Sequence, residues 1–502
     1  MALSTQKITN IKLNAVFNAT GSIGYFAVVF FLAPFVIKYI GIEAWGVWQL
    51  VTAVTGYLLL LNLGLESSVN HEVSKASAAD DMSRLGSAIN CARLYFILGA
   101  ALFVTFILIV VDMLSRKLVP IELQAVAHTT MVVSIGITAV AFIMRTYPSV
   151  VAGMQRYDLL GKFRIIQALV ILVVILAIGS DLTLLLFAIV MSFSPLVTSI
   201  LSWLFYRKHI PAVNRRFQKL NQSQFLDMLK YGIGTISFTF GTAILFQSMK
   251  IIASAQYGGV EYAAHMGLVI SLAMIISTIF QPLLTVLLPR ISALVEKEEW
   301  QTVSGLVSRA LHVSSVLVCI IITFLWINAE VVFSVWLGTS LSQVTYIQLA
   351  EVLRVILLGQ GAYVICLTGF FSLAGVREHN RLGIGLIITG VISVVVSWLI
   401  GGEGRSLIYL AYSFSLSIVL FCFVFVIPYV IKRFNLCIKS ALFDVFLVPI
   451  MIVAPGALLL GYTSFGLTGI KGLIFDGLLY VMAISPGIYI AFKRLSNIKQ
   501  AM

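Results

Sequence analysis

Long apolar runs follow one another along almost the whole chain, separated by short polar breaks. Windows of about twenty apolar residues fall at 14–38, 44–66, 90–111, 123–152, 162–180, 182–206, 226–253, 261–289, 304–327, 344–374, 382–401, 406–431, 441–461 and 472–492. Each is long enough to cross the hydrocarbon of a bilayer as a helix. The runs are continuous and do not alternate with a period of two, which predicts helices and not barrel strands. The pattern therefore predicts an all-α polytopic membrane protein of about 14 transmembrane helices, with no large aqueous domain.

Polar positions inside the runs are few and patterned. Asn14, Asn18, Gly21 and Tyr25 share one face of the first span, and Thr235, Thr239, Thr242 and Phe246 share one face of the seventh. Both stripes are expected to line a central cavity. Helix packing is the competing reading, because small and hydroxyl residues also let membrane helices approach closely. Nine of the eleven prolines lie within the spans, where each removes a backbone donor and can kink its helix, as a moving transporter requires. The turn Gly41-Ile42-Glu43-Ala44-Trp45 after span one returns as Gly259-Val260-Glu261-Tyr262 after span seven. That repeat predicts two parallel six-helix halves, 1–210 and 211–435, with a helix pair appended over 436–502 and a site between the halves.

Composition adds a sign to this picture. Only 11% of residues are charged, yet the net charge is +13. With a cytoplasmic N-terminus, 25 of the 33 Lys and Arg fall in inner segments and 6 in outer ones, leaving Arg145 and Arg354 within spans. Both termini are thus predicted to be cytoplasmic. Most of the basic excess is topological, with anionic membrane lipids as partners, and nucleic-acid binding is not needed to explain it. The first span is too long for a signal-peptide core and is expected to remain as a helix. Cys91, Cys319, Cys366, Cys422 and Cys437 are odd in number and scattered, so no disulfide framework or metal site follows.

Charges at membrane depth are the sharpest functional candidates, since each is costly without a partner or a wet cavity. Arg145 lies about two turns above the inner end of span four, Lys250 near the outer end of span seven, and Arg354 in the outer half of span ten. Glu351 is placed to pair with Arg354, and Lys250 is placed to snorkel to headgroups. A basic cavity suits an anionic substrate, and guanidinium in particular matches phosphate oxygens. His128, His265 and His312 look isolated and interfacial, not like a proton relay.

These features fall in a familiar order. The first span ends in Pro34-Phe35-Val36-Ile37-Lys38-Tyr39-Ile40-Gly41, and the second closes on Gly56-Tyr57-Leu58-Leu59-Leu60-Leu61-Asn62-Leu63-Gly64-Leu65. Gly153-Met154-Gln155-Arg156-Tyr157 follows span four, and Leu288-Pro289-Arg290-Ile291-Ser292 closes span eight. Over its whole length the chain resembles polysaccharide (O-antigen type) flippases of the multidrug, oligosaccharidyl-lipid and polysaccharide exporter superfamily. The resemblance implies a V-shaped pair of lobes that open alternately to either side of a bacterial inner membrane. It also implies an undecaprenyl-pyrophosphate-linked oligosaccharide as the anionic substrate, carried from the cytoplasmic to the periplasmic leaflet. Transport would be driven by an H+ or Na+ gradient or by substrate consumption, without a cofactor and alongside polysaccharide polymerase or assembly proteins. Where many relatives carry an acid before the basic residue of span seven, this chain has Ser248-Met249-Lys250.

Other classes fit less well. The outer acids Glu43, Asp112, Glu122, Asp181, Glu261, Glu330 and Glu403 are single and separated, which argues against a membrane glycosyltransferase and any enzyme. A cation-drug antiporter of the same fold needs buried carboxylates in the first lobe, and none is expected mid-helix there. A major-facilitator sugar carrier would have twelve spans, and the segment Glu66 to Ala79 lacks its signature loop. A flippase for a lipid II type peptidoglycan precursor is the nearest rival.

Overall fold

The computed structural model describes residues 11–79, 81–210, 222–285, 287–462 and 469–500. By contacts the chain falls into two compact units, Met1–Gly267 with Gly402–Gly404, and Leu268–Gly401 with Arg405–Met502. The first holds α1 (Ile11–Ile40), α2 (Ile42–Ala78), α3 (Met82–Leu118), α4 (Ile121–Met144), α5 (Thr146–Gly153), α6 (Tyr157–Ile178), α7 (Leu184–His209), α8 (Gln222–Tyr257) and the start of α9 (Val260–Thr285). The second continues with α10 (Leu287–Glu296), α11 (Trp300–Ile327), α12 (Ala329–Leu337), α13 (Gln343–Gly375), α14 (Asn380–Ile400), α15 (Ile408–Phe421), α16 (Ile427–Arg433), α17 (Ile438–Leu442), α18 (Val448–Tyr462) and α19 (Gly469–Gln500). Among the described residues, 13 helical spans are long and apolar enough to cross a membrane. The remaining expected span, 44–66, falls within α2, whose side chains from 58 to 65 lie outside the description. The protein is an all-α, multi-pass membrane protein.

Proline explains where three of these spans deviate from a straight α-helix. A proline removes the bond to the carbonyl four residues earlier and pushes its ring against that carbonyl. The helix accordingly breaks at Arg145, three residues before Pro148. Pro428 and Pro449 are accommodated differently: single π-turns at Cys422–Val426 and Phe443–Leu447 each end two residues before the proline. Widening the turn moves the carbonyl out of the ring's way and leaves the helix axis almost continuous.

The repeated turn has a structural counterpart. Gly41 (φ 83°) and Gly259 (φ 109°) both adopt a backbone that a side chain disfavours, and each stands immediately before a helix. In the first unit α2 packs along α8 and continues onto the start of α9. A Cβ at Gly46 would collide with the Val260 carbonyl oxygen, and one at Gly56 would lie 2.9 Å from the Gln247 side chain. In the second unit α13 is the central element, buried along nearly its whole length. Gly359 admits Phe414 and Ser415 against it, and Ser415 Oγ donates to the Val355 carbonyl (2.6 Å).

Candidate functional site

A polar cluster occupies the interior of the first unit, and a contact between two glycines builds it. α1 and α6 meet backbone to backbone: a Cβ at Gly21 would lie 2.5 Å from the Gly161 carbonyl oxygen. That approach carries residues one turn further along α6 onto α1, and Arg164 Nη1 donates to Ser22 Oγ (2.7 Å). Gln167, on the same face of α6, accepts from Thr198 Oγ1 (2.7 Å) and donates to Ser194 Oγ (3.3 Å), both on α7. Tyr25 of α1 hydrogen bonds with Ser194. The Arg145 guanidinium, set at the break between α4 and α5, lies within electrostatic range of both Tyr25 and Arg164. Glu66 of α2 faces Arg164 and Tyr157. Two arginines therefore lie near one another, one of them facing a carboxylate, among hydroxyls and an amide in a largely buried cluster.

The sequence-predicted candidates divide between this cluster and other places. Arg145 and Tyr25 belong to it. Gly21, placed on the cavity stripe, is a packing residue instead. Lys250 does not snorkel: its side chain is 8% exposed, and Nζ donates to Thr52 Oγ1 of α2 (3.1 Å). Close by, Tyr57 Oη and Ser248 Oγ are 2.7 Å apart, so polar bonds tie α8 to α2 on either side of Met249. Arg354 lies in the second unit, where its Nε donates to the Trp326 carbonyl (3.1 Å) in the last turn of α11. There it satisfies a carbonyl that helix geometry leaves without a partner, and it sits favourably at the negative end of the helix. Among the described residues it makes no ion pair with Glu351, which points outward and is exposed. Thr242 Oγ1 bonds back to the Phe238 carbonyl (3.0 Å), and Thr239 is partly buried on the same helix. Asn14, Asn18 and Thr235 fall outside the described side chains.

Two expectations need correction. His265 and His312 are not isolated: His265 Nε2 lies 3.8 Å from Glu261 Oε1 one turn earlier, and His312 Nδ1 lies 3.1 Å from the Asp444 carbonyl and 3.9 Å from its carboxylate. The first pair is an i, i+4 neighbour on one helix; the second depends on a fold contact across 132 residues. The first unit also holds a carboxylate at the site after all, Glu66, which the end of span two conceals. Arg164, counted with the inner positive segments, turns inward.

Outside the cluster, Glu72 organises the end of the first unit that bears the basic excess. It accepts from Arg84 (3.0 Å to Nη2) and Gln224 (3.2 Å), with Lys75 3.9 Å away. Burial alone would raise its proton affinity; the bonds from Arg84 and Gln224 and the neighbouring positive charges outweigh that and hold its carboxyl below the ordinary range.

The comparisons with known proteins agree with this architecture. The family model described as "Polysaccharide biosynthesis protein" matches residues 11–295, more than half the chain. No curated protein matches. Among solved structures, an inward-facing multidrug resistance MATE family transporter of the MOP superfamily superposes with TM-score 0.66 at 13% identity, over 86% of this chain and 96% of that one. An outward-facing MATE transporter gives 0.63 at 14%, over 85% and 95%. A MOP superfamily transporter from Pyrococcus furiosus, described as having a binding pocket of reversed polarity, gives 0.59 at 13%, over 86% and 99%. At such identities the likeness speaks for the fold, whereas the family model speaks for descent. The chain belongs to the polysaccharide biosynthesis protein family and carries the transporter fold of the MOP superfamily.

Proposed function

We propose that this protein is a flippase that moves an undecaprenyl-pyrophosphate-linked oligosaccharide from the cytoplasmic to the periplasmic leaflet of a bacterial inner membrane by alternating access. The observation that carries the reading is the placement of Arg145 and Arg164 within electrostatic range of one another inside the first unit, where Glu66 faces Arg164. A pyrophosphate is anionic and presents oxygens in the geometry that guanidinium binds best. Ser22, Tyr25, Gln167, Ser194 and Thr198 line the same space with groups that exchange hydrogen bonds with sugar hydroxyls. Asn14, Asn18, Thr235, Thr239 and Thr242 are assigned the same role of binding sugar hydroxyls. Lys250 acts as a strut between α2 and α8, and Arg354 as a cap on α11. The proposed moving lobes are 1–210 and 211–435, with 436–502 appended and both termini cytoplasmic; an H+ or Na+ gradient or consumption of the substrate drives the cycle. The protein does no chemistry on its cargo.

A peptidoglycan precursor of the lipid II type has the same anionic head and is the second reading, favoured by the same arginines. A cationic drug would be repelled by them. Deleting the gene in its native host should trap lipid-linked oligosaccharide on the cytoplasmic leaflet and remove surface polysaccharide, without sensitising cells to cationic dyes. Lysis with intact surface glycan would select the peptidoglycan precursor, and dye hypersensitivity with intact glycan would select drug export.

A further inference from the structure

A second basic site lies in the first unit on the far side of the same helix break. A cavity of about 410 Å³ is enclosed by α3, the α4–α5 junction and α7, and is lined by Arg93, Ile97, Ile143, Met144, Thr146, Tyr147, Trp203, Tyr206 and Arg207. Its two arginines are oriented by aromatic rings. Arg93 Nη2 donates to Tyr206 Oη (2.9 Å) while its guanidinium lies 5.7 Å from that ring's centre, and Arg207 stands 5.4 Å over the Trp203 ring. Tyr147 and Tyr206 pack at 5.2 Å, completing an aromatic wall. Among the described residues no acid contributes to the lining.

The rest of the lining is apolar and opens onto exposed hydrocarbon. Ile97 is 40% exposed, and exposed Leu98 on α3 and Ile200 and Leu204 on α7 continue the apolar surface. Arg207 belongs to the last turn of α7, so the two guanidiniums stand where a span leaves the hydrocarbon and headgroups begin. A soluble anion would use the arginines and leave the apolar stripes unexplained; a neutral lipid would do the reverse. We infer that this groove binds an anionic phospholipid, its phosphodiester held by Arg93 and Arg207 and its acyl chains laid along the apolar faces of α3 and α7. Because Met144 and Thr146 line the groove and flank Arg145, an occupied groove braces the break that carries the proposed substrate arginine.

The test uses the full chain, purified and delipidated in a neutral detergent, with thermal unfolding followed as phosphatidylglycerol, phosphatidylcholine or inorganic phosphate is added. Phosphatidylglycerol should raise the midpoint saturably, and the other two should not. Arg207→Gln should raise the half-saturating lipid concentration about tenfold, the loss of one charge-assisted hydrogen bond, whereas Arg116→Gln at the other end of α3 should leave it unchanged. Arg93→Gln should act in the same direction; since Arg93 also bonds Tyr206, the exposed Arg207 is the deciding variant if that protein fails to fold. An equal response to phosphate would make this a site for a free anion. An equal response to phosphatidylcholine would make it an apolar crevice, and an unchanged response in Arg207→Gln would remove the arginines from it; each overturns the inference.

Discussion

The contact between Gly21 and Gly161 can be tested against a control built into the same helix. An alanine at residue 21 puts its Cβ 2.5 Å from the Gly161 carbonyl oxygen and 2.7 Å from its Cα, and neither atom is a flexible side-chain end that can swing away. α1 and α6 must therefore separate, at a cost of about 1–3 kcal/mol typical of overpacking. One turn on, Gly24 has nothing within 4 Å of the same added atom, so Gly24→Ala gains only the helix preference of alanine, about 1 kcal/mol. The two variants are chemically the same substitution in one helix, so the propensity gain is common to both and they should differ by the overpacking cost, roughly 1–3 kcal/mol. Thermal unfolding of the purified variants in one detergent should place Gly21→Ala several degrees below Gly24→Ala, with Gly24→Ala at or above wild type. Separation of the helices also pulls Arg164 away from Ser22, so Gly21→Ala should lose export in cells while Gly24→Ala keeps it. Equal stability of the two variants would refute the backbone contact and, with it, the explanation of how Arg164 is placed.

Three further outcomes follow. Arg145→Ala should abolish glycan export at near-normal membrane levels, and Arg145→Lys should restore it only partly because ammonium lacks the bidentate fork; normal export by Arg145→Ala would make the residue an anchor. Glu72 has a lowered folded-state pKa, so its contribution to stability is present above the unfolded carboxylate value of about 4.3 and is lost as pH falls through the lower folded value. The gap in unfolding midpoint between wild type and Glu72→Gln should therefore close below about pH 4, and a gap unchanged down to pH 3 would assign the effect to shape and not charge. The Gln247 side chain comes within 2.9 Å of where a Cβ at Gly56 would stand, so Gly56→Cys with Gln247→Cys, in a background without the native cysteines, should cross-link α2 to α8 and block export until reductant is added. Export by the cross-linked protein would rule out separation of 1–210 from 211–435 during the cycle.

The membrane helices were legible because a bilayer imposes one length and one polarity on every span. The proline effects were legible only by type. Pro148 follows a break in its helix and Pro428 and Pro449 follow π-turns, yet Pro34, Pro195, Pro282, Pro455 and Pro486 sit in continuous helices. Whether a freed carbonyl finds a substitute partner depends on neighbouring helices, which no local pattern records. The site was half legible. Arg145 and Tyr25 stood out as polar residues in apolar runs, but Arg164 fell near a span end and was absorbed into the count of inner charges. Its signal was available in Gly161, Arg164 and Gln167, three residues apart along one face of α6 with a glycine where two helices meet. The roles of Lys250 and Arg354 were not legible, since Thr52 and Trp326, their partners, are 198 and 28 residues away in the chain. His312 and Asp444 are a similar case.

The arginines of the first unit are proposed to carry an anionic lipid-linked glycan across the bilayer. The purified protein reconstituted in liposomes, with a fluorescent pyrophosphate-linked oligosaccharide in the outer leaflet and a membrane-impermeant quencher outside, measures that movement directly. Wild-type vesicles should move the lipid to the protected leaflet, while vesicles bearing Arg145→Ala with Arg164→Ala should behave like protein-free ones. Movement by the double variant at the wild-type rate, in vesicles that remain sealed, would contradict that role.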